Sequence, residues 1–277
     1  MSGGAHPEAL EVRGLAVGYP GRNVITDLTV PPFEAGTMTA LVGPNAAGKT
    51  TLLRGLAGLI RARGSVRLGS RELLGLSPAD YAVHVGYMPQ SLPQRVALTV
   101  YEAMLGALKT SPKAGSAQET RRAALATLDR LGIADLALRG LDELSGGQRQ
   151  LASLAQAIAR APSVLLLDEP TSALDLAHQH RVMSMVEELA RERGTVTIVV
   201  LHDIALACRW CGRILVLADG RVAADGPPEE AVTPGMLREV YGVEARVERC
   251  SRGFVQVMVD GIVPARDETI RAKGDAA

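Results

Sequence analysis

The sequence of 277 residues contains no apolar run long enough to cross a membrane. Apolar segments such as 196–201 and 214–218 fall far below the roughly 18 residues that a spanning helix needs. Residues 1–10 also lack the basic and apolar regions of a signal peptide. We therefore expect any role at a membrane to depend on a partner.

Cysteine is scarce, and positive and negative charges cancel. The three cysteines are Cys208, Cys211 and Cys250, a small and odd number that argues against a disulfide framework and fits a reducing cytosol. Cys208 and Cys211 have the spacing of a redox or zinc pair, but no second pair accompanies them, and a helix is predicted at 204–209. The 30 basic and 30 acidic residues balance, so no global field draws the chain to nucleic acid or anionic lipid.

Short apolar strands alternate with helical patterns, which predicts an α/β fold with a largely parallel sheet. The length allows one large domain or two modest ones. Strands are predicted at 10–17 (a half-buried edge strand), 39–42, 83–88, 164–167 and 196–201, helices at 51–60 and 176–193, and hairpins at 214–223 and 245–259.

The middle of the chain has a different pattern. No strand-like run occurs between 97 and 160, and apolar residues at 124, 125, 128 and 131 follow helical spacing, with Gly132 as a C-terminal stop. Residues 109–117 form a polar loop rich in Ser, Pro and Gly. We interpret residues 91–158 as a helical subdomain inserted into the α/β core.

Residues 43–50 fit the pattern G-x-x-x-x-G-K-[ST] between a predicted strand and a predicted helix. The backbone N–H groups of such a loop, together with the helix N-terminus, favour a phosphate. Lys49 would reach the β- and γ-phosphates, and the Thr50 hydroxyl would bind magnesium. The alternative, a glycine-containing turn with a chance lysine, does not account for the correct flanking elements.

Two carboxylates, Asp168 and Glu169, end the buried strand predicted at 164–167. Packing does not need carboxylates there, and burying them unpaired is costly. Asp168 suits a magnesium-bound water, and Glu169 suits orienting or deprotonating an attacking water. Pro170 stops the strand.

Residues 144–148 read Leu-Ser-Gly-Gly-Gln. Ser145 and Gln148 have the spacing of a capping box, and an apolar stripe follows in the predicted helix. The simplest interpretation is a well-capped helix. The two glycines would also leave the helix N-terminus bare, so that a phosphate can approach it.

The 144–148 motif, with the 43–50 loop upstream and the two carboxylates just downstream, resembles the ATP-binding cassette (ABC) family over about residues 10–230. The resemblance implies a P-loop NTPase cassette with a RecA-like core, an N-terminal antiparallel β subdomain and an inserted helical subdomain. It places the ATP-binding domain at 8–240 and a short C-terminal extension at 241–277. One departure is Ala46, where the family usually has glycine; a positive φ there would cost about 1 kcal/mol.

The resemblance also assigns roles to individual residues. Tyr19 would stack on adenine, Gln90 would touch magnesium and the hydrolytic water, and His202 would be the switch histidine. Residues 172–175 resemble the D-loop at the dimer interface, whereas His178 and His180 are expected at the surface or an interface. The implied site residues are, for catalysis, Glu169, His202 and Gln90; for ATP, Tyr19, Gly43, Pro44, Asn45, Ala46, Ala47, Gly48, Lys49, Thr50, Thr51, Ser145, Gly146, Gly147 and Gln148; and for magnesium, Thr50, Gln90 and Asp168.

Segments 174–179 and 236–243 resemble an importer branch whose substrates are iron chelates, haem and cobalamin. Segment 105–112 departs from it, since the branch usually has an Arg and a Pro-His pair there. The resemblance implies an ATP-hydrolysing subunit at the cytoplasmic face of the membrane. Its implied partners are a second copy arranged head to tail, whose ATP the 144–148 motif would bind, integral membrane permease subunits and a substrate-binding protein.

Three alternatives remain. The chain could serve another transport system, or it could be a soluble ABC ATPase that acts on ribosomes or DNA. Soluble members usually carry two cassettes or a long coiled-coil insertion, and neither pattern occurs here; with the neutral charge, we expect no nucleic acid partner. A P-loop kinase or switch protein is disfavoured by the 144–148 motif and by the paired carboxylates.

Overall fold

A computed structural model describes residues 8–90, 97–109 and 116–263. A six-stranded sheet forms the centre, in the order β10-β9-β3-β8-β7-β6; its strands pair in parallel except for β10, which pairs antiparallel at one edge. The strands are β3 (Met38–Val42), β6 (Val85–Met88), β7 (Val164–Asp168), β8 (Val196–Val200), β9 (Arg213–Ala218) and β10 (Arg221–Gly226).

The carboxyl ends of these parallel strands meet at one edge of the sheet, where ligands bind in folds of this class. The P-loop, residues 43–50, follows β3; Gln90 follows β6, Asp168 and Glu169 lie at the end of β7, and His202 follows β8. The topology therefore gathers at one edge residues that are far apart in the sequence.

Both faces of the central sheet are covered, as expected for a parallel sheet. Alternate side chains of β3 enter different cores: Ala40 and Val42 pack with the helical elements, whereas Leu41 packs with the N-terminal strands and helix α1 (Lys49–Leu56). The α/β class with its parallel sheet is thus confirmed. No helix among the described residues is long and apolar enough to span a membrane.

A second, antiparallel sheet has the order β2-β1-β4-β5 and confirms the N-terminal β subdomain. The strand predicted at 10–17 is present as β1, but its prediction as an edge strand was wrong, because β1 pairs with β2 on one side and with β4 on the other. Both pairings contain register shifts, which break the regular alternation of apolar residues that a sequence search relies on. The strands are β1 (Leu10–Tyr19), β2 (Arg22–Phe33), β4 (Ala62–Leu68) and β5 (Arg71–Glu72).

Two helices near the P-loop differ from the predictions. Helix α1 begins at Lys49 and ends at Leu56, rather than covering 51–60. Helix α2 (Pro78–His84) was not predicted; Ser77 caps its N-terminus by accepting a hydrogen bond from the Asp80 N–H at 3.2 Å. The strand predicted at 83–88 therefore begins only at Val85.

The described part of the predicted helical subdomain is helical. Helix α4 begins with a capping box between Ser116 and Glu119 and ends just before Gly132, whose φ of 67° confirms its role as a helix stop. Residues 91–96 and 110–115 lie outside the described residues, so the bounds 91–158 stay a prediction. The main helices are α3 (Val100–Lys109), α4 (Ala117–Arg130) and α5 (Gly146–Ala159).

The remaining elements cover the central sheet and end the described chain. Helix α6 (Leu176–Arg193) has its predicted bounds, and α7 (Ile204–Trp210) contains Cys208. Burial raises the pKa of the Cys208 thiol to about 11. Short helices α8 (Pro228–Ala231) and α9 (Pro234–Met236) precede the predicted tail hairpin, which is confirmed as β11 (Val243–Arg249) and β12 (Val255–Ile262).

Candidate nucleotide site

A cleft of about 590 Å³ lies at the carboxyl edge of the central sheet, within the size range of small-molecule sites. It brings together residues from the N-terminal sheet, the P-loop and the ends of β6, β7 and β8. The residues that line it are Tyr19, Arg22, Val24, Asn45, Ala46, Ala47, Gly48, Lys49, Thr50, Thr51, Gln90, Glu169 and His202.

The P-loop requires glycine at two positions. Gly43 has a φ of 147°, and a Cβ there would lie 2.0 Å from the Leu217 carbonyl oxygen. Gly48 has a φ of 101°, and a Cβ there would lie 2.9 Å from the Val24 side chain. Gly48 is also the N-cap of α1 and supplies no capping side chain, so the first N–H groups of that helix are left for a ligand.

Lys49 lies folded against its own loop. Its Nζ donates hydrogen bonds to the carbonyl oxygens of Gly43 at 2.7 Å and Pro44 at 2.8 Å. The residue is only 6% exposed, and this burial lowers its pKa, against the opposing effect of the Glu169 and Asp168 carboxylates. The loop carbonyls thus hold the ammonium group beside the place where the pattern predicts a phosphate.

Ala46 adopts a φ of 64°, in the left-handed region. The condition considered for this position, a positive φ, is met, and for alanine such a conformation costs about 1–2 kcal/mol. Strain of this kind persists only where the surrounding structure imposes it.

Asp168 is fully buried behind the P-loop. Its Oδ1 accepts a hydrogen bond from the Thr50 hydroxyl at 3.2 Å, and its Oδ2 accepts one from the Tyr87 hydroxyl at 3.3 Å. Burial raises the pKa of this carboxyl, while the two hydroxyl groups act in the opposite direction. Tyr87 was missed in the sequence; its only signal was its place one residue before the end of a strand that leads to Gln90.

Glu169 and His202 form a close pair. The distance between His202 Nε2 and Glu169 Oε1 is 2.6 Å, and the side chain of His202 is 48% exposed whereas that of Glu169 is 11% exposed. Glu169 has a φ of 55°, which is unusual for a residue with a side chain. The carboxylate is therefore held at the cleft wall with its histidine partner on the open side.

Gln90 and Tyr19 lie at other parts of the cleft wall. Tyr19 is 41% exposed, and its hydroxyl accepts a hydrogen bond from Arg54 Nη1 at 3.4 Å. Hydrogen bonds with Thr51 and Arg54 lower the pKa of Tyr19. Its ring is thus accessible to a ligand while its hydroxyl is anchored.

The capping box predicted at the start of α5 is present. The Ser145 hydroxyl accepts a hydrogen bond from the Gln148 N–H at 3.3 Å, and the Gln148 side-chain oxygen accepts one from the Ser145 N–H at 3.1 Å. Residues 144–148 do not line the cleft. The structure therefore gathers most of the predicted nucleotide residues but leaves this motif apart from them.

The second glycine of that motif has a role that the sequence did not reveal. A Cβ on Gly147 would lie 3.2 Å from the Ala173 carbonyl oxygen and 3.2 Å from the Leu174 side chain. Gly147 thus lets the start of α5 pack against the turn that precedes α6.

Asp175 ends this turn and caps α6. Its Oδ1 accepts a hydrogen bond from the His178 N–H at 2.8 Å. His178 and His180 are exposed, as predicted, and His180 packs edge-on against Trp210 with ring centroids 5.1 Å apart. Leu176, the first residue of α6, is 84% exposed.

The oxygen atoms around Thr50 fit a hard cation. Among the described residues there is no cluster of three or more His, Cys, Asp or Glu side chains that could enclose a metal. Magnesium does not need such a cluster, since it is held by one or two protein oxygens together with phosphates and waters. The Thr50 hydroxyl and the Asp168 carboxylate, 3.2 Å apart, supply oxygens of this type, and Gln90 lines the same cleft.

Comparison with known proteins identifies the family of this site. The family model described as ABC transporter matches residues 29–172. The hemin import ATP-binding protein HmuV of Streptomyces coelicolor is 41% identical over 231 residues, which cover 82% of this chain and 81% of that protein.

Two solved structures have a similar fold. One is a chain of a metal-chelate type ABC transporter in an inward-facing conformation, with a TM-score of 0.75, 27% identity and coverage of 91% of this chain and 97% of that one. The other is the dimeric structure of the bacterial ABC transporter cassette MJ0796, with a TM-score of 0.72, 26% identity and coverage of 79% and 98%.

Proposed function

Since the chain belongs to the ABC transporter family of ATP-binding proteins, which are ATPases, we propose that it drives the import of an iron chelate, haem or cobalamin through separate membrane subunits. The observation that carries the ATPase role is the convergence of Lys49, Thr50 and Glu169 on one cleft, with Asp168 directly behind Thr50. The substrate class rests on the resemblance to a hemin import ATP-binding protein and to a metal-chelate type ABC transporter.

The residues of the cleft have separate roles in ATP binding and hydrolysis. The P-loop N–H groups and Lys49 hold the phosphates, and Tyr19 stacks on adenine. Thr50, Asp168 and Gln90 would hold magnesium, which would supply positive charge against the charge that develops on the phosphates. Glu169 takes a proton from the attacking water. His202, at 2.6 Å from that carboxylate, orients it and closes the open side of the cleft.

A second copy of the chain completes each site, in a head-to-tail arrangement. Residues 144–148 contain the capped N-terminus of α5, which is suited to a phosphate. They nevertheless lie apart from the cleft of their own chain. Leu176, exposed beside the D-loop, is available for such an interface. The dimeric cassette with a TM-score of 0.72 supports this arrangement.

The membrane partner docks beside Gln90 and the helical subdomain. Leu98 is 42% exposed and Leu138 is 83% exposed, and the segments that carry them are joined by backbone hydrogen bonds of 2.8–3.0 Å. An exposed apolar pair on a supported backbone suits contact with another protein. We place the chain at the cytoplasmic face of the membrane, where permease subunits and a substrate-binding protein complete the system. Within the chain, we assign the ATP-binding domain to residues 8–240 and a C-terminal extension to residues 241–277.

Replacement of Lys49 tests the ATPase role. Lys49→Ala removes the ammonium group held beside the phosphate position, so we expect loss of ATP binding in a fluorescent-nucleotide titration. Lys109→Ala is the matched control, since Lys109 is exposed at the end of α3. ATP affinity of Lys49→Ala within about twofold of the parent would contradict the proposed site.

A further inference from the structure

Gln150 joins helix α5 to the backbone of Glu169. The residue is 7% exposed and lies five positions after Ser145. Its Nε2 donates to the Glu169 carbonyl oxygen at 2.5 Å and to the Ser172 hydroxyl at 3.2 Å. Its Oε1 accepts from the Ala173 N–H at 3.1 Å. The Gln150 side-chain amide therefore bonds both to Glu169, which directly follows β7, and to the turn at 172–173.

The bond to Glu169 falls on a strained residue. Glu169 has a φ of 55°, a conformation that costs free energy for a residue with a Cβ and persists only when neighbours hold it. Its carbonyl oxygen also accepts hydrogen bonds from the Ser172 hydroxyl at 3.3 Å and the Ser172 N–H at 3.4 Å. Among these three donor groups, only Gln150 belongs to another element of the fold.

The start of α5 and the turn at 169–173 are coupled at a second point. Gly147 packs against Ala173 and Leu174 so closely that a Cβ would be 3.2 Å from each. A displacement of α5 along or about its axis must therefore move the turn or break the bonds of Gln150. Gly147 and Gln150 lie three residues apart, on the same side of the helix.

We infer that Gln150 is a positioning residue that holds the Glu169 peptide in its left-handed conformation and transmits movements of α5 to the Glu169 carboxylate. This inference rests on the proposed role of Glu169 in hydrolysis. When residues 145–148 bind the ATP held by the second copy, α5 would also fix the position of the Glu169 carboxylate in its own chain. Each ATP site is composite, because both copies contribute residues to it. ATP binding at one composite site would thus change the position of Glu169 at the other.

Gln150→Met tests this inference, since methionine keeps the length and loses both hydrogen-bonding functions. We expect kcat for ATP to fall at least about tenfold, while KM and equilibrium ATP affinity stay within about twofold, because the P-loop is untouched. The matched control is Gln156→Met, a half-buried glutamine on the same helix, for which we expect parental kcat. Parental kcat in a folded Gln150→Met protein would overturn the inference.

A double-mutant cycle separates positioning from general packing. If Gln150 acts through Glu169, then Gln150→Met should cause no further loss of single-turnover hydrolysis in a Glu169→Gln background. An equal fractional loss in both backgrounds would overturn the inference. If Glu169→Gln alone hydrolyses at the parental rate, then the proposed role of Glu169 as the base fails instead, and the two failures are distinguishable.

Should Gln150→Met not fold, Ser172→Ala gives an independent test. It removes another donor to the Glu169 carbonyl at an exposed position, where folding is tolerant of change. We expect kcat to fall about two- to fivefold with KM unchanged, since the Glu169 carbonyl loses one of its three donors and Gln150 loses its bond to Ser172. Parental kcat for Ser172→Ala would then contradict the proposed control of the Glu169 peptide.

Discussion

Glu169→Gln separates ATP binding from hydrolysis. The amide keeps the shape of the side chain, and the Glu169 carbonyl, which accepts hydrogen bonds from Gln150 and Ser172, is unchanged. The contact with His202 at 2.6 Å also persists, because an amide can donate or accept there. The substitution therefore removes a base without removing a packing or backbone interaction.

The size of the effect follows from the role assigned to the carboxylate. General base catalysis contributes about 10²–10⁴ in rate. At about 1.4 kcal/mol for each factor of ten, this corresponds to about 2.8–5.6 kcal/mol of transition-state stabilisation. ATP affinity should not fall, since Lys49 and the P-loop N–H groups remain, and removal of a negative charge near the phosphates favours ATP if it changes affinity at all.

Two assays measure these quantities on the same preparations. Steady-state phosphate release gives kcat, and gel filtration with magnesium-ATP detects accumulation of a closed dimer. Glu187→Gln, at an exposed position on α6, makes the same chemical change away from the cleft and should leave both readouts unchanged. Turnover by Glu169→Gln at the parental rate would refute the assignment of the base.

Two further substitutions test the buried carboxylate and the docking surface. Asp168→Asn should abolish magnesium-dependent hydrolysis yet raise the free energy of unfolding by about 1 kcal/mol at pH 7, since functional sites sacrifice stability. Burial raises the pKa of Asp168 in the folded state above its ordinary 3.8, so ionisation of Asp168 destabilises the folded parent as pH rises from 3.8 through the raised pKa. The extra free energy of unfolding of Asp168→Asn should therefore shrink as pH falls toward 3.8. Urea titrations at several pH values that show no such trend would contradict this prediction. Leu138→Cys in a Cys250→Ser background should cross-link to co-expressed membrane subunits, whereas cross-links only to ribosomal proteins would contradict the docking proposal.

Much of the site could be predicted because its motifs are contiguous. The P-loop carries its own glycines and lies between a buried strand and a helix, and the capping box of Ser145 and Gln148 spans four residues. Such local patterns depend on backbone geometry that neighbouring residues set. The predicted roles of these residues in binding and catalysis stay predictions until they are measured.

The features that were missed depend on contacts between distant segments. Gln150 bonds to residues 19–23 positions away, and Tyr87 bonds to Asp168 across 81 positions. No periodicity or spacing reports such pairs. The interior position of β1 was likewise hidden, since it depends on where β2 and β4 pair and not on the pattern of β1 alone.

The central claim is that two copies of the chain share each ATP site, and mixed dimers of differently tagged subunits test it. With Lys49→Ala in one subunit and Ser145→Arg in the other, both lesions fall in the same composite site, and the second site stays intact. With both substitutions in one subunit beside a parental partner, each site carries one lesion.

The measurement is the amount of ATP trapped per purified mixed dimer. It is preferable to hydrolysis rate, because one intact site need not complete a cycle. We predict that the split pair traps nucleotide in its intact site and that the combined pair traps none. Equal trapping by the two mixed dimers would contradict the head-to-tail arrangement.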